Sequence, residues 1–334
     1  MSTKEEVLSI LQSNTSNFIS GQELANMLYV TRASVWKAIK SLQADGYQID
    51  AVTNKGYRLS PTFDPINIED ISQKINTSDR QIKVIYLDEV DSTNDHVRRL
   101  EGESHEDILL IAGCQTKGRG RRGRDFFSPK NTGLYMSLLL HTNSDTNNIP
   151  HITATTASAV AKAIDHVIFH DKDISKIKWV NDIYINKYKI SGILTEAFSY
   201  MEDEDSSYII IGIGINIFVP DNGFPKELKK IAGAIISDTK TSKDTNLENI
   251  RGRLSSRIIN NIFYYKENQI ECLEIYRNKS NLIGNYVQIN DFKENHHKNY
   301  GKVVGIDNEY RLIIENDNGN RQALSSGEVS VVKY

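Results

Sequence analysis

Lys117-Gly118-Arg119-Gly120-Arg121-Arg122-Gly123-Arg124 puts five cations and three glycines into eight residues. Guanidinium groups are planar forks that match carboxylate and phosphate oxygens. Glycines let the backbone approach a ligand closely. The apolar runs at 108–114 and 134–140 read as strands, so the octapeptide reads as a loop held at the end of a sheet. The competing reading is an Arg/Gly-rich nucleic-acid segment or a sorting patch. Such segments usually sit in disordered tails, not between two buried strands.

Polar residues set beside apolar runs give the other candidates. Ser92, Thr93 and Asn94 stand where a short strand at 83–87 gives way to a helix from Asn94, a place that offers backbone N–H groups and hydroxyls together. Plain helix capping explains the same triplet. The run 177–185 and the run 189–196, joined at Asn186-Lys187, resemble paired strands of a hairpin. Lys189 opens the second. Asn181 and Asp182 interrupt the first, where polar groups in an apolar strand need a reason. In the deeply apolar strand 208–217, Gly212 and Gly214 leave bare backbone, for a ligand or for a bulge, and Asn216 is a lone polar group. Together these features fit the joining of a carboxylate to the α-phosphate of ATP. Two anions about 4 Å apart repel by roughly 4 kcal/mol at an effective dielectric near 20. An arginine loop and a fixed lysine would offset that repulsion and hold the charge that builds on phosphorus. A Gly/Arg loop can also open for substrate and close to keep water from an acyl-phosphate anhydride.

Three regions position these groups. In the first, Ser20 and Glu23 are spaced as a capping box before the apolar face of Leu24, Ala25 and Leu28. A second helix opens at Thr31, with Val35, Ile39 and Leu42 on its inner stripe, and Gly46 ends it. Short strands at 47–52 and 56–59 follow. Helix, turn, helix, hairpin is the order of a winged helix-turn-helix, whose second helix lies in the major groove. Residues 1–64 balance six Lys/Arg against six Asp/Glu, but 31–58 carry five against two, so the basic surface is confined to this helix and wing. Arg32, Ser34, Lys37, Lys40 and Lys55 are the candidate DNA contacts. The other reading is a small domain that binds protein or merely packs. Trp36 is core or a half-exposed platform, and core is the expectation. Pro61 and Pro65 mark a linker.

From residue 82, strand-like and helix-like stretches alternate. A helix at 151–169 has Ala154, Ala157, Ala161, Ile164 and Ile168 on one side. From about residue 285 come short strands at 286–289, 301–306, 311–315 and 329–332, which read as a small β-barrel. His296-His297 reads as solvated loop. The chain has 334 residues, is 39% hydrophobic and 25% charged, and carries a net charge of −3, so no basic overall field points to nucleic acid. Cys114 and Cys272 are too few for a disulfide framework or a cysteine metal site and are expected to be buried thiols. No apolar stretch reaches membrane-spanning length and no signal-peptide plan opens the chain, so a cytoplasmic location is expected.

Over essentially its whole length the sequence resembles the biotin–protein ligases, and more closely their long class, which doubles as the biotin-operon repressor of bacteria. The resemblance rests on Gly118–Arg124 as the biotin loop, on Lys178-Trp179-Val180-Asn181-Asp182 (with Val180 where the family usually has proline), on Asp91-Ser92-Thr93-Asn94, on Gln115, on Lys189 to Gly192, and on the N-terminal helix-turn-helix. It implies an α+β multidomain protein: a winged helix-turn-helix at 1–64, a mixed-sheet ligase domain at 65–283 and an SH3-like barrel at 284–334. It implies that biotin and ATP form biotinyl-5′-adenylate with Mg²⁺ assistance, and that a lysine of a biotin carboxyl carrier protein, of acetyl-CoA or pyruvate carboxylase, then takes the biotinyl group. It places Ser92, Thr93, Asn94, Gln115 and Gly192 on biotin and Arg119, Gly120 and Arg121 on biotin and adenylate. Lys189 bridges the carboxyl and α-phosphate. Arg122, Asn181, Asp182 and Asn216 go to the nucleotide side, and Phe126 either stacks on adenine or belongs to the core. No metal ligand set is legible. Operator DNA and a ligand-promoted homodimer complete the expectation. A non-catalytic biotin-sensing repressor and a lipoate–protein ligase are the alternatives.

Overall fold

The computed structural model describes residues 2–14, 17–44, 47, 49–59, 66–77, 80–101, 106–142, 148–199, 207–237, 247–290 and 299–332. The expected linker at Pro61–Pro65, Gly46 and His296-His297 lie outside the described residues. The chain divides into two compact units, Met1–Ile66 with Leu247–Asn249, and Asn67–Asn246 with Ile250–Tyr334.

The first unit is α1 (Thr3–Ser13), α2 (Gly21–Met27), α3 (Arg32–Ala44) and a hairpin of β1 (Ile49–Val52) and β2 (Gly56–Leu59). The capping box forms as the sequence predicts: Glu23 N–H donates to Ser20 Oγ at 3.1 Å, and Ser20 N–H to the Glu23 carboxylate at 2.8 Å. Val7, Leu11, Leu24, Val35, Ile39 and Leu42 form the core. Trp36 does not join it. Its neighbour Val35 points inward, and one residue further turns the side chain about 100° away, so Trp36 is 53% exposed. At the wing, a Cβ on Gly56 would collide with the Ile19 backbone, and its φ of +109° suits glycine.

The second unit is built on a seven-stranded mixed sheet. In chain order its strands are β3 (Ile82–Leu87), β4 (Asp107–Ala112), β5 (Gly133–Thr142), β6 (Lys176–Lys178), β7 (Asp182–Ile185), β8 (Tyr188–Ser199) and β9 (Ser207–Asn216), and in space β3-β4-β5-β9-β8-β7-β6. Only β3 and β4 run parallel; the other pairings are antiparallel. Helix α4 (Ile68–Lys74) precedes β3, and α5 (Thr93–Glu101) packs Val97 onto Ile108, Leu110, Leu139 and Ile210 on one face. The other face carries α6 (Ile149–Phe169), whose Ala154, Ala157, Ala161, Ile164 and Ile168 are buried as expected; Thr153 of α6 donates to Thr195 of β8 at 2.9 Å. Helices α7 (Ile250–Glu267) and α8 (Gln269–Lys279) pack behind α6. Lys279 is buried between Asp165 and Asp173, at 2.5 Å from each. Both cysteines are buried thiols.

The run 177–185 is not one strand. It turns back on itself, so that β6 pairs with β7 and Lys178 faces Asp182; the Trp179–Val180 peptide in the turn is cis. The polar pair Asn181-Asp182 therefore sits at the end of a tight hairpin. The turn is tied to the C-terminal sheet, where Trp179 Nε1–H donates to Tyr310 O at 2.8 Å.

That C-terminal sheet has five antiparallel strands, β10 (Tyr286–Asn290), β11 (Asn299–Ile306), β12 (Leu312–Glu315), β13 (Arg321–Leu324) and β14 (Glu328–Val331), in the order β13-β12-β11-β10-β14. Strand β13, with only Leu324 buried, is absent from the sequence-based expectation. Among the described residues the two edge strands do not pair, so the sheet is open where a closed barrel was expected. No helix among the described residues is long and apolar enough to cross a membrane.

Candidate active site

Strand register sets out the floor of the site. Across the sheet, Ala112, Tyr135, Gly214, Gly192 and Asp182 are successive partners and share one face; the next row holds Leu110, Ser137, Gly212 and Leu194. Three glycines thus leave the middle of this face bare. The space is used: a Cβ at Gly212 would collide with the Asn94 carboxamide, and one at Gly214 with the Phe126 ring. Where the sequence left a ligand or a bulge open, the bare backbone is met by side chains of the cleft wall. Phe126 lies over the floor, edge-on to Tyr135 with centroids 6.4 Å apart.

Lys189 reaches this face through an irregularity. Ile183 pairs with Ser191 but Tyr184 pairs with Lys189, so Ile190 is the extra residue of a bulge. Without it, Ile190 would face the cleft; with it, Ile190 is buried and the ammonium lies 2.7 Å from Asp182 Oδ1. A Cβ on Gly192 would fall 3.1 Å from the lysine Nζ. The lysine therefore lies over the glycine floor.

The junction between β3 and α5 supplies a polar wall. Gln115 Oε1 accepts from Thr93 N–H at 2.8 Å and from Thr93 Oγ1 at 3.1 Å, and its amide donates to Ser128 Oγ at 2.7 Å. Asn94 is fully committed: Oδ1 accepts from Ser137 Oγ at 2.6 Å, and Nδ2 donates to Glu196 Oε2 at 2.8 Å. Ser92, Thr93 and Asn94 are all buried.

The arginine loop closes the top. Gly120 N–H donates to Arg124 O at 2.7 Å and Phe126 N–H to Gly118 O at 2.8 Å, which makes the loop a compact turn. A Cβ at Gly118 would strike Phe126 O and Ser128 Oγ. Arg119 bridges Asp95 at 2.5 Å and Glu196 at 3.0 Å. Burial works against its charge, but Glu196 and Asp95 more than offset this and raise its pKa. Arg121 donates to Asn181 Oδ1 at 2.9 Å, and burial, aided by Arg122, lowers its pKa. Asn181 in turn donates to Ile193 O at 3.0 Å. Arg124 and Arg122 turn outward to Glu328 of β14, at 2.8 and 3.7 Å.

The floor, the polar wall and the loop together frame a cleft that is partly open to solvent. Its lining takes in Ser92, Thr93, Asn94, Gln115, Arg119, Gly120, Arg121, Phe126, Asn181, Lys189, Gly192 and Gly212, which the fold gathers from five separate stretches of chain. Asp182 adjoins it through Lys189. Arg122 and Asn216 are not in the lining; Asn216 Nδ2 instead donates to Gly233 O at 3.0 Å. Sequence reasoning missed Ser128, Ser137 and Glu196. The signal for Ser137 was a lone hydroxyl in the apolar run 134–140; nothing local marks Glu196, whose partner Asn94 is 102 positions away. In the first unit, Arg32, Lys37, Lys40 and Lys55 are exposed. Ser34 is half-buried, its N–H donating to Thr31 Oγ1 at 3.1 Å as part of the helix start.

Residues 86–216 match the biotin/lipoate A/B protein ligase family, residues 3–58 an HTH domain, and residues 283–332 the biotin protein ligase C-terminal domain. The chain is similar to the bifunctional ligase/repressor BirA of Bacillus spizizenii, at 31% identity over 97% of each chain, and to that of Bacillus subtilis, at 30% over the same shares. In structure it is similar to biotin protein ligase from Aquifex aeolicus in complex with biotin and ATP, with a TM-score of 0.60 and 30% identity over 75% of this chain and 99% of that one.

Proposed function

Because the chain belongs to the family of bifunctional biotin–protein ligases and repressors, we propose that the glycine-floored cleft is where biotin and ATP are joined, with Lys189 and the arginine loop as its working parts. The activity is that of an ATP-dependent biotin–protein ligase joined to an HTH repressor. Its partners are a biotin carrier protein and operator DNA.

In the first step a biotin carboxylate oxygen attacks the α-phosphorus of ATP and pyrophosphate leaves. In the second the ε-amine of a carrier lysine attacks the acyl carbon, AMP leaves with the bonding pair, and the amine loses a proton. The one observation that carries the assignment is the bulge at Ile190, which brings the Lys189 ammonium over the bare floor of the cleft. There the cation offsets the repulsion between the carboxylate and phosphate. Thr93, Asn94 and Gln115, with Ser92 and Gly192, form the biotin side. Their hydrogen bonds to Ser128, Ser137 and Glu196 hold them in place before substrate arrives. Arg119, Gly120 and Arg121 cover the adenylate and exclude water. Phe126 lies on the floor as a stacking surface for the nucleotide, with Asn181, Arg122 and Asn216 beyond.

No cluster of three metal-ligating side chains exists among the described residues. One carboxylate suits Mg²⁺ that arrives on the nucleotide and keeps most of its water: Asp182 Oδ1 is buried and takes no hydrogen bond beyond its ion pair with Lys189. Bound there, the ion would neutralise phosphate charge.

The acceptor is the carrier domain of acetyl-CoA or pyruvate carboxylase, and the setting is the cytoplasm. The working divisions of the chain are 1–64, 65–283 and 284–334. Two helix-turn-helix units on a two-fold operator call for a homodimer, promoted when adenylate orders the loop. Sedimentation with and without biotin plus ATP tests this: ligand should move dimerisation to lower protein concentration, and a constant indifferent to ligand removes the coupling. The catalytic reading is tested by incubating the protein with ATP, a carrier domain, and biotin or lipoate, then weighing the carrier. A biotinyl adduct is expected; a lipoyl adduct alone, or none, overturns it.

A further inference from the structure

Among the described residues of the first unit, Met27, Tyr29, Trp36 and Val52 are exposed large apolar side chains, and Trp36 is the one set in α3 among Arg32, Lys37 and Lys40. It lies in the second turn of α3, 53% exposed. Val35, Ile39 and Leu42 are buried on a stripe that Trp36 flanks, about 100° round the helix from Val35, so the indole stands at the edge of the core with about half its surface in solvent. Arg32 and Lys40 stand one turn to either side of it, at i−4 and i+4, and Lys37 is adjacent; all three are exposed. The indole is thus an apolar surface set in a row of cations.

The charge decides the occupant. Residues 31–58 carry five cations against Asp45 and Asp50, and Asp50 is paired with Arg58 at 2.8 Å. A surface of that sign fits a polyanion. In a duplex the phosphates flank the groove, where the cations reach, and base edges lie between them, where the indole reaches. The apolar feature of the major groove is the thymine C5-methyl group. We propose that Trp36 is a base-reading residue of the recognition helix, its indole seated against a thymine methyl of the operator. This rests on the repressor activity stated above.

The test begins by letting the full-length protein, with biotin and ATP, select duplexes from a randomised pool. The selected duplex is then resynthesised with deoxyuridine at each thymine in turn, which removes one methyl group at a time. Loss of the contacted thymine methyl in one half-site should weaken wild-type binding about fourfold, the worth of one buried methyl. Trp36→Ala, which removes the contact from both subunits, should bind the selected duplex about sixteenfold more weakly and should no longer respond to deoxyuridine at that thymine. Trp36→Phe keeps a ring on the same helix position and should keep part of the response. The chain has two tryptophans, and Trp179 is only 6% exposed. Acrylamide quenching therefore reports chiefly on Trp36, and DNA should shield it. The proposal is overturned if Trp36→Ala keeps wild-type affinity and the same deoxyuridine profile. It is equally overturned if the variant weakens every duplex alike, which would put the indole on the sugar–phosphate backbone, or if it alters self-association alone. A wild-type protein that selects no duplex removes the repressor reading itself.

Discussion

The two arginine- and lysine-rich surfaces of this protein handle the same charge in opposite ways. On the helix-turn-helix, Arg32, Lys37, Lys40 and Lys55 stand exposed in solvent. In the cleft, Arg119 is bridged to Asp95 and Glu196, Arg121 is bonded to Asn181, and Lys189 is paired with Asp182. Exposed cations can follow a regular lattice of phosphates and trade salt ions for them at little ordering cost. Cations held in place have already lost their rotamer freedom, so they meet one small anion in a set geometry. The first arrangement suits reach along a polymer; the second suits a reaction.

Salt should separate the two surfaces most widely. Between about 50 and about 200 mM salt, operator affinity should fall roughly 10³-fold if the complex neutralises about six phosphates. Adenylate formation, measured by pyrophosphate release, should change little, because partly buried pairs are screened much less. Parallel salt slopes for the two activities would erase the contrast.

Lys189→Ala removes the cation set by the bulge. Pyrophosphate release should drop by roughly 10²–10³, with the salt slope of DNA binding unaltered. An unchanged rate removes Lys189 from the chemistry. Arg121→Gly deletes the bond to Asn181, a charge-assisted contact whose loss corresponds to roughly tenfold faster escape of the adenylate. Labelling of lysines on an unrelated bystander protein should rise accordingly; labelling at the wild-type level would show that this residue does not retain the intermediate.

The smallest effect belongs to an exposed pair beside the cleft. Arg99 donates twice to Asp91, and this bonding lowers the Asp91 pKa to about 2. The folded pKa lies below the unfolded one, so the pair's contribution is present above about pH 4 and is lost as pH falls toward about 2. Both side chains are more than one-third exposed, so Arg99→Ala should cost only ~0.5 kcal/mol at neutral pH. Thermal melts of the two proteins should converge at the acid end. A constant difference across that window would assign the effect to something other than the ion pair.

Much of this was legible because it is local. The capping box of Ser20 and Glu23, the stripe of Val35, Ile39 and Leu42 and the alanine face of α6 depend on residues three to seven apart. The arginine loop was legible from composition, but the sequence left Gly212 and Gly214 to a ligand or a bulge, and the side chains that meet them, Asn94 and Phe126, come from distant stretches of chain. Other features depend on partners far along the chain. Glu196 gains meaning only against Asn94 and Arg119, and Ser137 only through its row with Gly212. The apolar run 177–185 has the composition of one strand; it folds back because Trp179 and Val180 are claimed by Tyr310 and Tyr276. Strand β13 buries only Leu324, so no alternation marked it. Trp36 was misjudged by residue type, since a large aromatic suggests core until its position on the helix is considered.

The bond from the Trp179 indole to Tyr310 O has a consequence for how the second unit melts. Tyr276 OH donates to Val180 O at 3.0 Å, and Arg277 Nε donates to Ile306 O at 2.8 Å, so the C-terminal sheet, α8 and the β6–β7 turn share their buried polar partners. Unfolding any one of them strands donors or acceptors in the others, each at a cost of about 1–3 kcal/mol. Residues 67–334 are therefore expected to absorb heat in a single cooperative transition, with calorimetric and van't Hoff enthalpies in agreement. A boundary near residue 283 divides the chain by sequence family. It does not mark a place where the chain can be cut and leave a folded ligase behind.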